Sequence, residues 1–123
     1  MKKYLILSIL LGTSTLANAS DFVHPMDFNG SEREKAQAID YIKDRVRHDY
    51  CDSGIDMCNN TTLRMMEKEN LKAFKELTQA QDRSILNRVI NDYCNSGVNM
   101  CNYTTLNMMY NENLKASQEN LSW

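Results

Sequence analysis

Hydrophobic positions between residues 31 and 123 recur every three or four residues, which is the pattern of amphipathic α-helices. Four stripes of this kind can be traced, and each predicts one helix. Their members are Ile39, Ile42, Val46 and Tyr50; Leu63, Met66, Asn70, Ala73, Phe74 and Leu77; Ile85, Val89 and Tyr93; and Leu106, Met109 and Asn113. The pattern therefore predicts an all-α fold.

Helix ends are marked by small polar residues. Ser31 opens a Ser-x-x-Glu capping-box pattern before the first stripe. Ser-Gly pairs at 53–54 and 96–97 indicate tight turns, because glycine adopts positive φ easily. After these turns, the segments 60–62 and 102–105 supply N-cap side chains for the next helices. The last helix is expected to stop near residue 117.

The chain contains an internal duplication with a period of 43 residues. Residues 45–76 align without a gap on residues 88–119, and 21 of the 32 aligned positions are identical. This indicates two copies of one supersecondary unit, a helix, a turn and a second helix. The first hairpin is assigned to residues 31–80 and the second to residues 81–123.

The connection between the two copies can be interpreted in two ways. Residues 78–82 contain no glycine or proline, so one helix could run from about residue 61 to 93, roughly 50 Å long. Alternatively, Asp82 caps a new helix. The fold is therefore two repeated disulfide-stapled helical hairpins, either as a four-helix bundle or sharing a long central helix. We favour the break slightly, and the long helix would favour a homodimer.

The N-terminus has the layout of a secretory signal peptide. Lys2 and Lys3 precede an apolar run, and Ala17 and Ala19 occupy the small positions of a cleavage site. Cleavage after Ala19 would leave 104 of the 123 residues and change the formal charge from −2 to −4. Residues 20–30 then form an N-terminal arm that either docks on the helices or stays mobile. We expect a periplasmic or secreted protein without stable membrane insertion.

The four cysteines all follow the signal peptide. An even number of cysteines in a small exported chain predicts disulfides. Pairing Cys51 with Cys58 and Cys94 with Cys101 gives each copy its own bridge. A thiol-disulfide redox protein is an alternative, but six residues separate the cysteines of each pair and no lysine or histidine lies within either interval.

A second alternative is a carrier of soft metal such as copper. Methionine thioethers suit Cu(I), and Met65 and Met108 lie off the apolar stripes. Filling of the core is the simpler role for Met66 and Met109. We therefore expect no metal and no other cofactor.

Three residues are candidates for contact with a partner. Asn70 and Asn113 each interrupt an apolar stripe, where an asparagine either fixes the packing through a buried hydrogen bond or contacts a partner. Trp123 lies in the tail after the last helix. The near-neutral charge gives no support for nucleic-acid binding. No triad or other catalytic arrangement can be recognised, so we expect a protein-binding module rather than an enzyme.

The segment beginning at Cys58 resembles a motif of exported lysozyme-inhibitor domains of the LprI type. The matching residues are Cys58, Leu63, Met66, Glu67 and Phe74. Asn70 departs from the leucine of that family, the cysteine interval is shorter, and the second copy lacks the acid and the aromatic residue. The resemblance covers about 20 residues per copy. It implies a small helical protein that binds a cell-wall hydrolase, and it assigns no inhibitory residues.

Overall fold

A computed structural model describes residues 21–123, so the predicted signal peptide lies outside the described residues. The described elements are a short 3₁₀ helix, Pro25–Asp27, and four α-helices, α1 (Glu32–Cys51), α2 (Asn60–Leu77), α3 (Arg83–Cys94) and α4 (Tyr103–Ser117). The prediction of an all-α fold is confirmed, and α4 ends at the expected position. None of the helices in this range is long and apolar enough to cross a bilayer.

Each α-helix begins at a residue whose side chain accepts a hydrogen bond from a backbone N–H three positions later. These N-caps are Ser31, Asn59, Asp82 and Asn102, with donor–acceptor distances of 3.2, 2.9, 3.0 and 2.8 Å. Such bonds satisfy N–H groups that have no partner within the helix. The expectation that the 60–62 segment caps α2 was wrong by one residue, because the extended Asn59 precedes a helix that already includes Asn60.

The connection between the two hairpins is a break, not a continuous helix. α2 ends at Leu77. After it, the N–H groups of Gln79 and Ala80 donate hydrogen bonds to the carbonyls of Glu76 and Leu77 at 3.0 and 3.1 Å, which forms a turn. The Tyr110 hydroxyl then accepts hydrogen bonds from the backbone N–H groups of Gln81 and Asp82 at 3.2 and 3.1 Å. The alternative with a long central helix is therefore excluded.

The two hairpins share one hydrophobic core. α2 contacts α1, α4 and the 3₁₀ helix, while α3 packs against α4. The buried members come from both copies and from the N-terminal segment: Val23, Ala38, Ile42, Val46, Ala73, Phe74, Leu77, Leu86, Val89, Tyr103, Leu106 and Tyr110. The N-terminal arm is therefore docked, since its Val23 is part of this core.

Tyr103 lies at the point where the N-terminal segment and both hairpins meet. Its ring centroid is 5.4 Å from that of Phe22, 5.5 Å from Tyr41 and 4.8 Å from Phe74. Its hydroxyl donates to the Val23 carbonyl at 2.7 Å and accepts from the Val23 N–H at 3.2 Å. One fully buried side chain thus joins three parts of the chain.

The protein is expected to lose stability between pH 10 and about 12. Burial raises the pKa of Tyr41 from 10 to about 12, with a lowering contribution from Arg45 and a raising one from Asp49. Because the folded chain holds this proton more tightly than the unfolded chain, stabilisation is complete below pH 10 and declines through that window, by about 1.4 kcal/mol per pH unit.

Urea unfolding at intervals from pH 9 to 12 measures this loss. Burial also raises the pKa of Tyr103, so part of the alkaline loss remains when Tyr41 is absent. In the Tyr41→Phe variant the free energy of unfolding should fall less steeply with pH, by the amount that corresponds to about one proton. An unchanged slope in that variant would contradict the assignment.

Candidate partner-binding surfaces

The two disulfides have the predicted pairing. Cys51 is bonded to Cys58 and Cys94 to Cys101, with Cα–Cα distances of 4.7 and 4.6 Å. No cysteine in the described chain is free. Two structural disulfides are typical of a chain that folds in an oxidising, extracellular-type environment.

Each disulfide closes a loop with the same local construction. The first loop comprises residues 52–59 and the second loop residues 95–102. The Ser53 hydroxyl donates to the Asp49 carbonyl, and Ser96 makes the equivalent bond, so the end of the preceding helix is capped. Gly54 and Gly97 have φ of +82° and +83°, a conformation that other residues adopt only with strain. The loops are therefore held in shape at both ends.

Both loops present apolar side chains to solvent. Ile55, Met57, Val98 and Met100 have exposed fractions of 49, 44, 51 and 44%. Residues 98 and 100 occupy the positions equivalent to 55 and 57, so the duplicated sequence keeps an aliphatic residue and a methionine at both. Burial in the core does not explain why these positions are apolar. We call these four residues the loop surface.

The second loop lies against the helix that leads into the first. Arg45 on α1 donates to the Asn99 side chain at 2.9 Å and to the Asn99 carbonyl at 2.5 Å, and forms an ion pair with Asp49 at 3.2 Å. Asn99 adopts a φ of +54°, the left-handed region that asparagine tolerates. Arg45 precedes Cys51 by six residues, about 9 Å along the helix axis. Both loops therefore lie along the C-terminal half of α1.

Asn70 makes its hydrogen bonds within the protein. Its side chain is buried, donates to the Met66 carbonyl at 2.9 Å and accepts from the Thr104 N–H at 3.3 Å. The second bond satisfies an N–H in the first turn of α4, so Asn70 of the first hairpin caps a helix of the second. The equivalent Asn113 is exposed and donates to the Met109 carbonyl at 2.7 Å.

The other candidates lie on the surface and do not converge with Asn70. Trp123 is fully exposed in the segment after α4. Met65 and Met108 are 53 and 56% exposed on α2 and α4, whereas Met66 and Met109 pack against the core. Within residues 21–123, no three His, Cys, Asp or Glu side chains are placed to hold a metal ion.

A groove between α1 and α2 was not predicted from the sequence. Two cavities of about 260 and 320 Å³ share Ile39 and Leu71 in their linings, and a third depression continues along α2 to Gln79. The basic residues that line it are Lys35, Lys43, Arg64, Lys68, Lys72 and Lys75. We call this the lysine groove. The spacing of Lys68, Lys72 and Lys75 was the available signal, but it did not reveal which helix lies beside them.

Comparison of the chain with protein-family models, curated proteins and solved structures finds no match. The candidate surfaces therefore rest on the geometry of this chain alone.

Proposed function

We propose that the chain is a periplasmic or secreted protein-binding module of the inhibitor, immunity or periplasmic accessory type. The observation that carries the proposal is the loop surface, four exposed apolar side chains that both copies retain. Isolated exposed apolar residues are ordinary, but their recurrence in two preorganised loops is typical of a contact surface. Because the disulfides already order the loops, binding loses less conformational entropy than it would with flexible loops.

Methionine and small aliphatic side chains suit such a surface. Methionine adapts its shape to irregular apolar partners, and the polar residues beside it keep the unbound loop soluble. Asp52, Asp56 and Asn99 supply that polar surround. A partner with an exposed apolar patch fits this chemistry, since the four apolar side chains of the loops are each about half exposed to solvent.

Crosslinking from the loop surface tests the proposal. A photoreactive phenylalanine analogue at position 55 or 98, in the protein expressed in its native host, should give discrete crosslinked protein bands. The same analogue at Met108, which is similarly exposed but lies on α4, is the matched control. Bands that appear equally from position 108, or none from positions 55 and 98, would contradict the proposal.

Removing the apolar loop side chains should weaken binding strongly without unfolding the protein. Replacing Ile55, Met57, Val98 and Met100 by serine is expected to weaken affinity for the crosslinked partner at least tenfold. Stability should change little, because these side chains are already about half exposed. The Met65→Ser/Met108→Ser double variant should bind normally, and affinity can be measured by biolayer interferometry.

A further inference from the structure

The lysine groove has the shape of a site for an elongated ligand. It follows the seam between α1 and α2, with apolar side chains of Ile39, Ile42, Leu71 and Phe28 in its lining. Along α2 it extends from Arg64 to Gln79, about 22 Å at 1.5 Å per residue. That length corresponds to about four turns of a bound helix.

The charge of the groove is opposite to that of the chain. Its lining contains six basic residues and only two acidic ones, Glu67 and Glu76. Residues 20–123 contain twelve basic and sixteen acidic residues, so half of all basic residues after the signal peptide are gathered here. Two of the six are ion-paired, Lys35 with Glu32 and Arg64 with Glu67.

The second copy did not keep this charge. Of the four basic positions that fall within the aligned repeat, three have uncharged equivalents, Asn107, Asn111 and Gln118, and only Lys72 is retained, as Lys115. The equivalent of Glu67 is Tyr110, which is buried in the second hairpin. The apolar groove with a basic rim is therefore a feature of the first hairpin, not a consequence of the repeat.

We propose that the lysine groove binds an acidic amphipathic helix of a partner protein. The apolar face of that helix would lie on Ile39 and Leu71, and its flanking carboxylates would pair with Lys68, Lys75 and their neighbours. This is the helix-in-groove mode of peptide recognition, with the charged rim setting orientation and partner choice. We favour a peptide over an anionic membrane because the apolar residues line a groove between two helices, whereas membrane-binding amphipathic helices bury an apolar face among the lipids.

A pair of synthetic 16-residue peptides provides the test. Both carry leucines on one helical face, one with glutamates on the flanks and the other with lysines. In fluorescence anisotropy at low salt, residues 20–123 should bind the glutamate peptide at least tenfold more tightly than the lysine peptide. Binding should weaken steeply with added salt, because exposed charges are screened.

Charge reversal provides the specific control. The Lys68→Glu/Lys75→Glu variant should bind the glutamate peptide at least tenfold more weakly than the wild type does. It should bind the lysine peptide more tightly. The Arg47→Glu/Arg88→Glu variant has the same change of net charge at exposed positions outside the groove, and it should bind like the wild type. Circular dichroism establishes that each variant is folded.

Three results would overturn the proposal. They are equal binding of the two peptides by the wild type, equal effects of the two charge-reversal pairs, and flotation with phosphatidylglycerol vesicles in place of peptide binding. The last result would assign the groove to an anionic membrane. The inference does not rest on the loop surface, whose serine variant should bind the glutamate peptide normally, so the two proposals can fail separately.

Discussion

Replacing all four cysteines by serine is expected to leave residues 20–123 largely unfolded at 37 °C. Each disulfide closes a loop of about eight residues, which stabilises the folded chain by roughly 2.5 kcal/mol in the chain-entropy description. Two such bridges supply about 5 kcal/mol, comparable to the whole net stability of a domain of this size. Urea unfolding followed by circular dichroism, in the oxidised wild type and in the variant, measures the difference.

The two disulfides should not contribute equally. Cys101 is buried, and its carbonyl accepts a hydrogen bond from the Tyr41 hydroxyl at 2.6 Å. The Cys94–Cys101 disulfide therefore also positions a hydrogen bond between the two hairpins. The Cys94→Ser/Cys101→Ser variant is therefore expected to be less stable than the Cys51→Ser/Cys58→Ser variant, by about 1 kcal/mol. Equal losses, or a larger loss at the first loop, would show that this contact adds nothing to the stability.

Local signals explain why most of the architecture could be predicted. Three- and four-residue spacing identified the helices, and the equivalent cysteines identified one bridge per copy. These features depend on a few neighbouring residues. The break at residues 78–82 was less certain because it also depends on Tyr110, which lies 28 positions from Asp82 and binds the backbone there.

Two of the residues that join the hairpins lie where the copies differ. Tyr103 and Tyr110 replace Asn60 and Glu67 of the first copy, and both tyrosines are buried. A comparison of identical positions identifies the residues that stabilise each hairpin separately. It misses the contacts of these two tyrosines, because two equal units in one chain do not have equal surroundings.

The distal part of the second helix also differs between the two copies. Phe74 and Leu77 of α2 are buried, whereas their equivalents, Ser117 at the end of α4 and Asn120 beyond it, are exposed. The end of the second hairpin is thus polar at positions where the first hairpin contributes side chains to the core. Asn70 shows the same difference between the copies: it caps α4, whereas the equivalent Asn113 is exposed and donates to the Met109 carbonyl of its own helix.

The candidate surfaces were harder to predict for a different reason. Whether Ile55 or Met57 is exposed depends on where the second hairpin packs, and the sequence gives only their hydrophobicity. The lysine groove depends likewise on the register between α1 and α2, which places Ile39 beside Leu71. Neither relation is encoded by residues close together in the chain.

Changes at Tyr103 are expected to produce the largest loss of stability from a single side chain. Tyr103→Ala removes the ring that packs on Phe22, Tyr41 and Phe74, and it should cost about 3–5 kcal/mol, as for other large buried aromatic residues. Tyr103→Phe keeps the ring but leaves the Val23 N–H and carbonyl without their partner, at a cost of about 1–3 kcal/mol.

Hydrogen exchange separates the two contributions. In Tyr103→Phe the Val23 amide should exchange faster than in the wild type, while amides in the middle of α1 keep their protection, because only the N-terminal segment is released. Tyr93→Phe, at a partly buried tyrosine on α3, is the matched control and should leave Val23 protected. Wild-type protection of Val23 in Tyr103→Phe would mean that packing alone holds the N-terminal segment, and the hydroxyl would then have no part in joining it to the hairpins.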